Sequence, residues 1–235
     1  QLTITIYLMA ICISQIFWGP LSDLIGRRIV LIIGASLFSL GGILASLNLA
    51  FEVFVFFRFV QGIGAAACLS MPRVMLTESY GVKKAAAKMS TLLAFMAIFP
   101  ILSAAFGGYI GENYGWQTNF FTLFIFGSII FLLNFVYSPE TIKNKNKRLT
   151  FRTTFLDFRY LFGQNSFLYF AGVSSIQAAF FFSMAGFMPY KFERLGASPT
   201  EFGLWFSLTS IGYIIGNIVS NRCSSWLGLE RFSLL

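Results

Sequence analysis

The sequence predicts an all-α polytopic membrane protein with seven membrane-spanning helices. Three observations predict it. Hydrophobic residues make up 57% of the 235-residue chain and charged residues only 11%, against about 25% charged in a typical soluble domain. Mean hydropathy is +0.74. Seven apolar stretches also fall at 2–18, 30–50, 53–75, 89–110, 119–137, 167–190 and 203–221, and a ~30 Å hydrocarbon core needs about 20 such residues in a helix. Several stretches are too long for core strands. Helices also satisfy their own backbone groups in lipid, which open strands cannot.

Each element follows from the residues between those stretches. The first stretch ends in Gly19-Pro20-Leu21-Ser22-Asp23-Leu24-Ile25-Gly26-Arg27-Arg28, a ten-residue connection within an expected loop over 19–29. Its glycines suit a tight reversal, and Asp23 can cap the next helix or pair with Arg27 or Arg28. A short turn near 51–52 leads into the third stretch. Loops follow at 76–88, 111–118, 138–166 and 191–202. The longest, 138–166, opens on Ser138-Pro139-Glu140 and carries Lys143, Lys145, Lys147 and Arg148. Phe151, Phe155, Phe158 and Phe162 then recur at helical spacing, with Arg152 and Arg159 between them. That pattern predicts a short amphipathic helix on the membrane surface; an ordinary basic linker is the alternative. The loop divides the chain into 1–137, with five spans, and 167–235, with two.

Lysine and arginine set the orientation. Fourteen of the seventeen lie in 19–29, at Arg73, in 76–88, in 138–166 and after 221. Two, Lys191 and Arg194, lie in the alternate loops, and Arg58 lies inside a span. Such a bias places the loops 19–29, 76–88 and 138–166 in the cytoplasm. Residue 1 then starts on the outer side of the cytoplasmic membrane. The net charge of +8 is thereby directed at anionic lipid, not nucleic acid.

Several chemistries are excluded. The chain has no histidine, which removes histidine bases and ligands. Cys12, Cys68 and Cys223 are far apart and show no metal spacing. No GxxxxGK[ST] loop is present. All nine carboxylates sit in loops or at span ends. The expected partners are the lipid bilayer and a small molecule. No enzyme activity, metal or cofactor is expected.

Four groups of residues stand out as candidates. The Gly19–Arg28 loop is the first. The second is Arg58 with Gln61 and Gly62. An arginine inside an apolar run costs a few kcal/mol and usually faces protein or an aqueous cavity, although Arg58 could also snorkel outward. Gln61 shares its face. Gly62, Gly64 and Ala66 form a small-residue strip for close helix packing. The third group is Pro100, Gly107 and Gly108, a kink and a close approach, with Gly212 and Gly216 as a GxxxG strip in the last span. The fourth is Ser174, Gln177, Phe181, Met184 and Met188, which share one helix face. Aromatic, Met and polar groups together suit an adaptable cavity for apolar ligands, and also suit plain helix contact.

These motifs resemble those of the major facilitator superfamily. Gly19-x-Leu21-x-Asp23-x-x-Gly26-Arg27-Arg28 is similar to its cytoplasmic signature between the second and third helices. Arg58-x-x-Gln61-Gly62-x-Gly64-Ala65-Ala66 resembles the fourth-helix signature of its drug:proton antiporters. Pro100 through Gly107-Gly108, then Gly115-Trp116-Gln117-x-x-Phe120, resembles their fifth helix and following loop. The whole chain reads like the bicyclomycin- and chloramphenicol-resistance type. Leu24 stands where that family usually has a basic residue.

The resemblance implies twelve helices in two halves of six, of which this chain would be a fragment holding helices two to eight. It implies that Asp23 and Arg27 help lock one conformational state and that Arg58 lies near the central cavity and influences proton coupling. It also implies a proton gradient as the energy source, a proton-carrying carboxylate on a first helix outside this chain, and a monomeric full-length protein. The expected function is proton-coupled export of small amphipathic compounds. The alternatives are import of a polar metabolite and, from another class, a seven-helix receptor.

Overall fold

The computed structural model describes residues 2–142 and 151–227. The basic run Lys143, Lys145, Lys147 and Arg148, and residues 228–235, lie outside them. The described residues form seven helices and no strand: α1 (Leu2–Ile25), α2 (Arg27–Ser46), α3 (Phe51–Tyr114), α4 (Trp116–Tyr137), α5 (Phe151–Phe162), α6 (Asn165–Arg194) and α7 (Pro199–Leu227). α3 comprises two arms meeting at Gly81, whose φ of 70° interrupts 64 otherwise helical residues. A side chain at that φ would be strained, so glycine makes the break possible without another loop residue.

Among the described residues, six segments are long and apolar enough to cross a membrane: Leu2–Ile25, Arg27–Ser46, Phe51–Gly81, Thr91–Tyr114, Trp116–Tyr137 and Asn165–Arg194. The seventh expected stretch, 203–221, is helical within the 29-residue α7 but is not among these six, so six spans stand where seven were expected. The amphipathic pattern of the long loop forms α5, whose helix begins and ends on the first and last phenylalanine of its stripe.

The connections are shorter than expected. The loop expected over 19–29 reduces to Gly26 alone, at φ 115°; Gly19 and Pro20 belong to α1. Polar residues after Trp18 do not end the helix, because Ser22 turns its hydroxyl back onto the Gly19 carbonyl at 2.6 Å and Asp23 pairs with Arg27 one turn on. Likewise 76–88 is helical apart from Gly81. Asp23 does not cap α2: the N-cap is Gly26, without a side-chain hydrogen bond.

α1, α2, the first arm of α3 and α4 pack together, with α2 between α3 and α4. Small residues permit this. A Cβ at Gly41 would lie 2.6 Å from the Gln61 Cβ, and one at Gly42 would lie 3.0 Å from the Phe124 nitrogen. Gly34 and Gly64 face each other so closely that the Gly34 carbonyl and the Phe38 nitrogen fill the space a side chain at Gly64 would need. With lipid outside, apolar burial contributes little between helices, so such backbone approach and interhelical hydrogen bonds hold the bundle. Trp18 Nε1 donates to the Ile63 carbonyl at 2.9 Å, joining α1 to α3. Ser39 and Ser128 share a 2.8 Å hydrogen bond between α2 and α4. Trp18, Val30, Leu31, Ala66, Ala67, Met71 and Met75 form the core. α7 packs on α3, and α6 lies more loosely beside α5 and α7.

Candidate functional site

Two polar constellations and one cavity bring candidate residues together. The first is at the basic end of the bundle, where Gly26 and Gly81 lie. Arg27 is almost fully buried, at 8% exposed. Its guanidinium pairs with Asp23 and forks onto Glu78 Oε1 of α3, with Nε at 3.2 Å and Nη2 at 3.0 Å. Nη1 donates to the Ser22 hydroxyl. The Arg27 backbone N–H donates to Glu140 Oε1 at 3.0 Å, so a carboxylate beyond α4 supplies the cap that Gly26 cannot. The same Glu140 oxygen accepts from the backbone of Thr141 at 3.1 Å and Ile142 at 3.3 Å. Thr141 Oγ1 in turn donates to Glu78 Oε2 at 2.5 Å. Arg28 donates to the Phe135 carbonyl at 2.6 Å, on the last turn of α4. One residue pair thus ties α1, α2, α3 and α4 together.

The second constellation is inside the bundle. Arg58 of α3 bonds Gln61 Oε1, and its guanidinium carbon lies 4.3 Å from the centre of the Tyr7 ring and 5.2 Å from that of Phe120. Among the described residues Arg58 makes no ion pair; two ring faces and an amide oxygen stabilise the cation instead. Gln61 is fully buried. Among the described residues, the Arg58 Nε and Gln61 Nε2 atoms are buried donors without an acceptor, a costly arrangement that a bound acceptor would relieve. Gly62 brings α1 within reach, since a Cβ there would lie 2.6 Å from the Tyr7 carbonyl.

Tyr7 links this cluster to a cavity of about 730 Å³. Phe99, Pro100 and Ser103 line it from α3, Phe181 from α6, and Phe202 and Phe206 from α7. Phe206 packs against both Phe181 and Phe202, with ring centres 5.9 Å and 5.6 Å apart. Among the described residues, the lining holds no charged side chain.

The expected residues distribute unevenly over these features. Asp23, Gly26, Arg27 and Arg28 come together at the basic end; Leu21 is exposed there. Of the face Ser174, Gln177, Phe181, Met184 and Met188, only Phe181 lines the cavity, and Ser174 and Gln177 are exposed. Pro100 also lines it. Gly108 abuts the Pro199 carbonyl of α7, and Gly107 accepts from Asn119 at 3.1 Å. Gly64 and Ala66 are buried in the bundle. Gly212 and Gly216 have nothing within 4 Å of a Cβ built on them.

Sequence reasoning missed Glu78 and Glu140 as partners of Arg27, Tyr7 as a partner of Arg58, and the Gly34, Gly41 and Gly42 face of α2. A carboxylate at a span's basic end was the available signal for the first two.

Comparison with known proteins bears on the family and the fold. The Major Facilitator Superfamily profile matches residues 1–235. The chain is 26% identical over 234 residues to a bicyclomycin resistance protein homolog of Haemophilus influenzae, covering 98% of this chain and 58% of that protein. It is 26% identical to multidrug resistance protein MdtM of Escherichia coli, covering 90% of this chain and 52% of MdtM. The chain therefore spans somewhat over half the length of these relatives. Among solved structures, a D-xylose-proton symporter superposes with a TM-score of 0.62 at 17% identity, over 97% of this chain and 61% of that one; that likeness bears on the fold alone. Motifs, helix packing and the full-length profile match lead to one assignment: the chain belongs to the Major Facilitator Superfamily.

Proposed function

We propose that this chain forms part of a proton-coupled secondary transporter that exports small apolar or amphipathic compounds across the cytoplasmic membrane. The observation that carries this reading is the aromatic, uncharged cavity between α3, α6 and α7. Large aromatic surfaces bind varied apolar ligands without demanding a fixed hydrogen-bond pattern. A sugar would need convergent polar groups, which this lining does not supply. The drug-resistance names of the relatives support the same substrate class.

The arginine and lysine bias supports a cytoplasmic basic end. On that orientation the Arg27 cluster closes the inner end of the first helical unit, 1–137, and 138–166 links it to the second, 167–235. Alternating access would rock one unit against the other around the cavity. Arg58 would couple proton movement to substrate, because its guanidinium lies over Tyr7 at the cavity wall.

The test is transport by the protein expressed from its whole gene, in inverted vesicles with an imposed pH gradient. Accumulation of a lipophilic fluorescent drug is expected to stop when the gradient is collapsed. Arg58→Ala should remove the coupled component while leaving the amount of membrane protein unchanged. Transport that survives collapse of the gradient would refute proton coupling.

A further inference from the structure

The first turn of α7 is capped in an unusual way. Ser198-Pro199-Thr200-Glu201 forms a capping box: Glu201 N–H donates to Ser198 Oγ at 3.2 Å, and Ser198 N–H donates to Glu201 Oε2 at 2.9 Å. Phe202 N–H reaches the Ser198 carbonyl at 3.0 Å. Pro199 has no N–H. The local sequence therefore satisfies each donor of the turn except that of Thr200. Thr200 N–H donates instead to Glu112 Oε2 at 3.0 Å, on α3 and 88 residues away in sequence. Glu112 is one helical turn beyond Gly108 and two beyond Ala104, on the same face. Gly108 abuts the Pro199 carbonyl, and Gly203 of α7 abuts the Ala104 carbonyl. Two turns of bare backbone contact thus end on one carboxylate, which also takes side-chain hydrogen bonds from Thr200 and Ser198, at the end of the helices opposite the Arg27 cluster.

We propose that Glu112 is a positioning residue that latches α7 to α3 at the outer end and holds the aromatic cavity shut on that side. This rests on the transporter reading above. The interface below Glu112 has no side chains to interlock at its closest points, so it can part as a surface. The carboxylate is the directional element that fixes its closed register. Releasing it removes the Ser198 side-chain bond to Glu112 but leaves the reciprocal Ser198–Glu201 bonds of the capping box, so α7 can swing away as a whole helix.

The test measures access and requires no transport. Ser103, which lines the cavity, is replaced by cysteine in the protein expressed from its whole gene, with Cys12, Cys68 and Cys223 changed to alanine. A membrane-impermeant maleimide is then applied from the outer face of right-side-out vesicles. Glu112→Ala should raise the labelling rate about 3- to 5-fold, the population shift expected when the exposed hydrogen bonds of this one carboxylate are lost. Glu112→Gln, which keeps an acceptor oxygen, should restore most of the slow rate. Glu201→Ala weakens the local cap only and should leave labelling near the starting rate. Wild-type labelling in Glu112→Ala would overturn the latch. So would equal acceleration by Glu201→Ala, which would trace the effect to a frayed helix end. A protein that shows the labelling pattern but moves no drug would instead defeat the transporter reading and leave the latch standing.

Discussion

The two parts of this molecule pack by opposite means. In α1, α2, the first arm of α3 and α4, glycine, alanine and serine bring backbones together; Gly41, Gly42, Ala65, Ala66 and Ala67 are buried. In α6 no residue is buried, and phenylalanine dominates its surface, with Phe180 71% exposed. Where backbones touch, any added side chain meets a fixed wall. Where aromatic rings line open space, they can turn to accommodate a ligand. The difference assigns the first part the role of a stiff frame and the second that of an adaptable wall. It also explains why the buried charge is in the frame: Arg27 needs partners held at fixed distances before leaving water is tolerable.

The largest expected effect comes from filling a frame contact. Gly64→Leu pushes a side chain into the Gly34 carbonyl and the Phe38 nitrogen. Overpacking of this kind costs about 1–3 kcal/mol or more when backbone must move. Monodisperse protein after detergent extraction should fall sharply. Gly172→Leu on α6, where nothing lies within 4 Å, should extract like the parent. Equal losses would erase the distinction between frame and wall.

Breaking the charged cluster should come next. Arg27→Ala leaves Glu78 with its Thr141 hydrogen bond but no cation, and removes the charged link that runs from Asp23 of α1 through α2 to α3. Because the Glu78 side chain is 28% exposed, solvent screens part of the loss, and about 1–3 kcal/mol is expected. Arg27→Lys should recover little, since a single ammonium cannot reproduce the fork. Thermal unfolding of Arg27→Ala, Glu78→Gln and the double variant gives the coupling directly. Strict additivity would show that the geometry of the pair contributes nothing.

The fold was legible because membrane physics is coarse. Runs of about 20 apolar residues read as helices whatever packs against them. Boundaries were less legible: Gly19 and Pro20 look like a turn, yet side-chain bonds from Ser22 and Asp23 carry α1 through to Ile25. At the site, Arg58 and Gln61 were visible because a charge inside an apolar run is costly. Their neighbour Tyr7 was not, because an aromatic residue in a membrane span is unremarkable until the fold places its ring under a cation. Glu78, Glu112 and Glu140 were each visible as carboxylates at span ends. Their partners lie 51, 88 and 113 residues away, separations that no local pattern encodes.

The smallest expected effect tests where the wall ends. Gly212 and Gly216 read as a packing strip, yet a Cβ on either meets open space in this chain. Gly212→Ala and Gly216→Ala should therefore change the stability of these 235 residues by no more than about 0.5–1 kcal/mol, and in the stabilising direction, since alanine favours a helix interior over glycine. The same changes made in the protein expressed from its whole gene need not agree. A loss of stability there, absent from this chain alone, would show that the strip packs against a segment outside these residues and that the adaptable wall stops short of it. Neutrality in both would extend the loosely packed surface along the whole of α7 to Gly216, and would leave the contacts at Gly203, Gly108 and Glu112 to hold that helix in place.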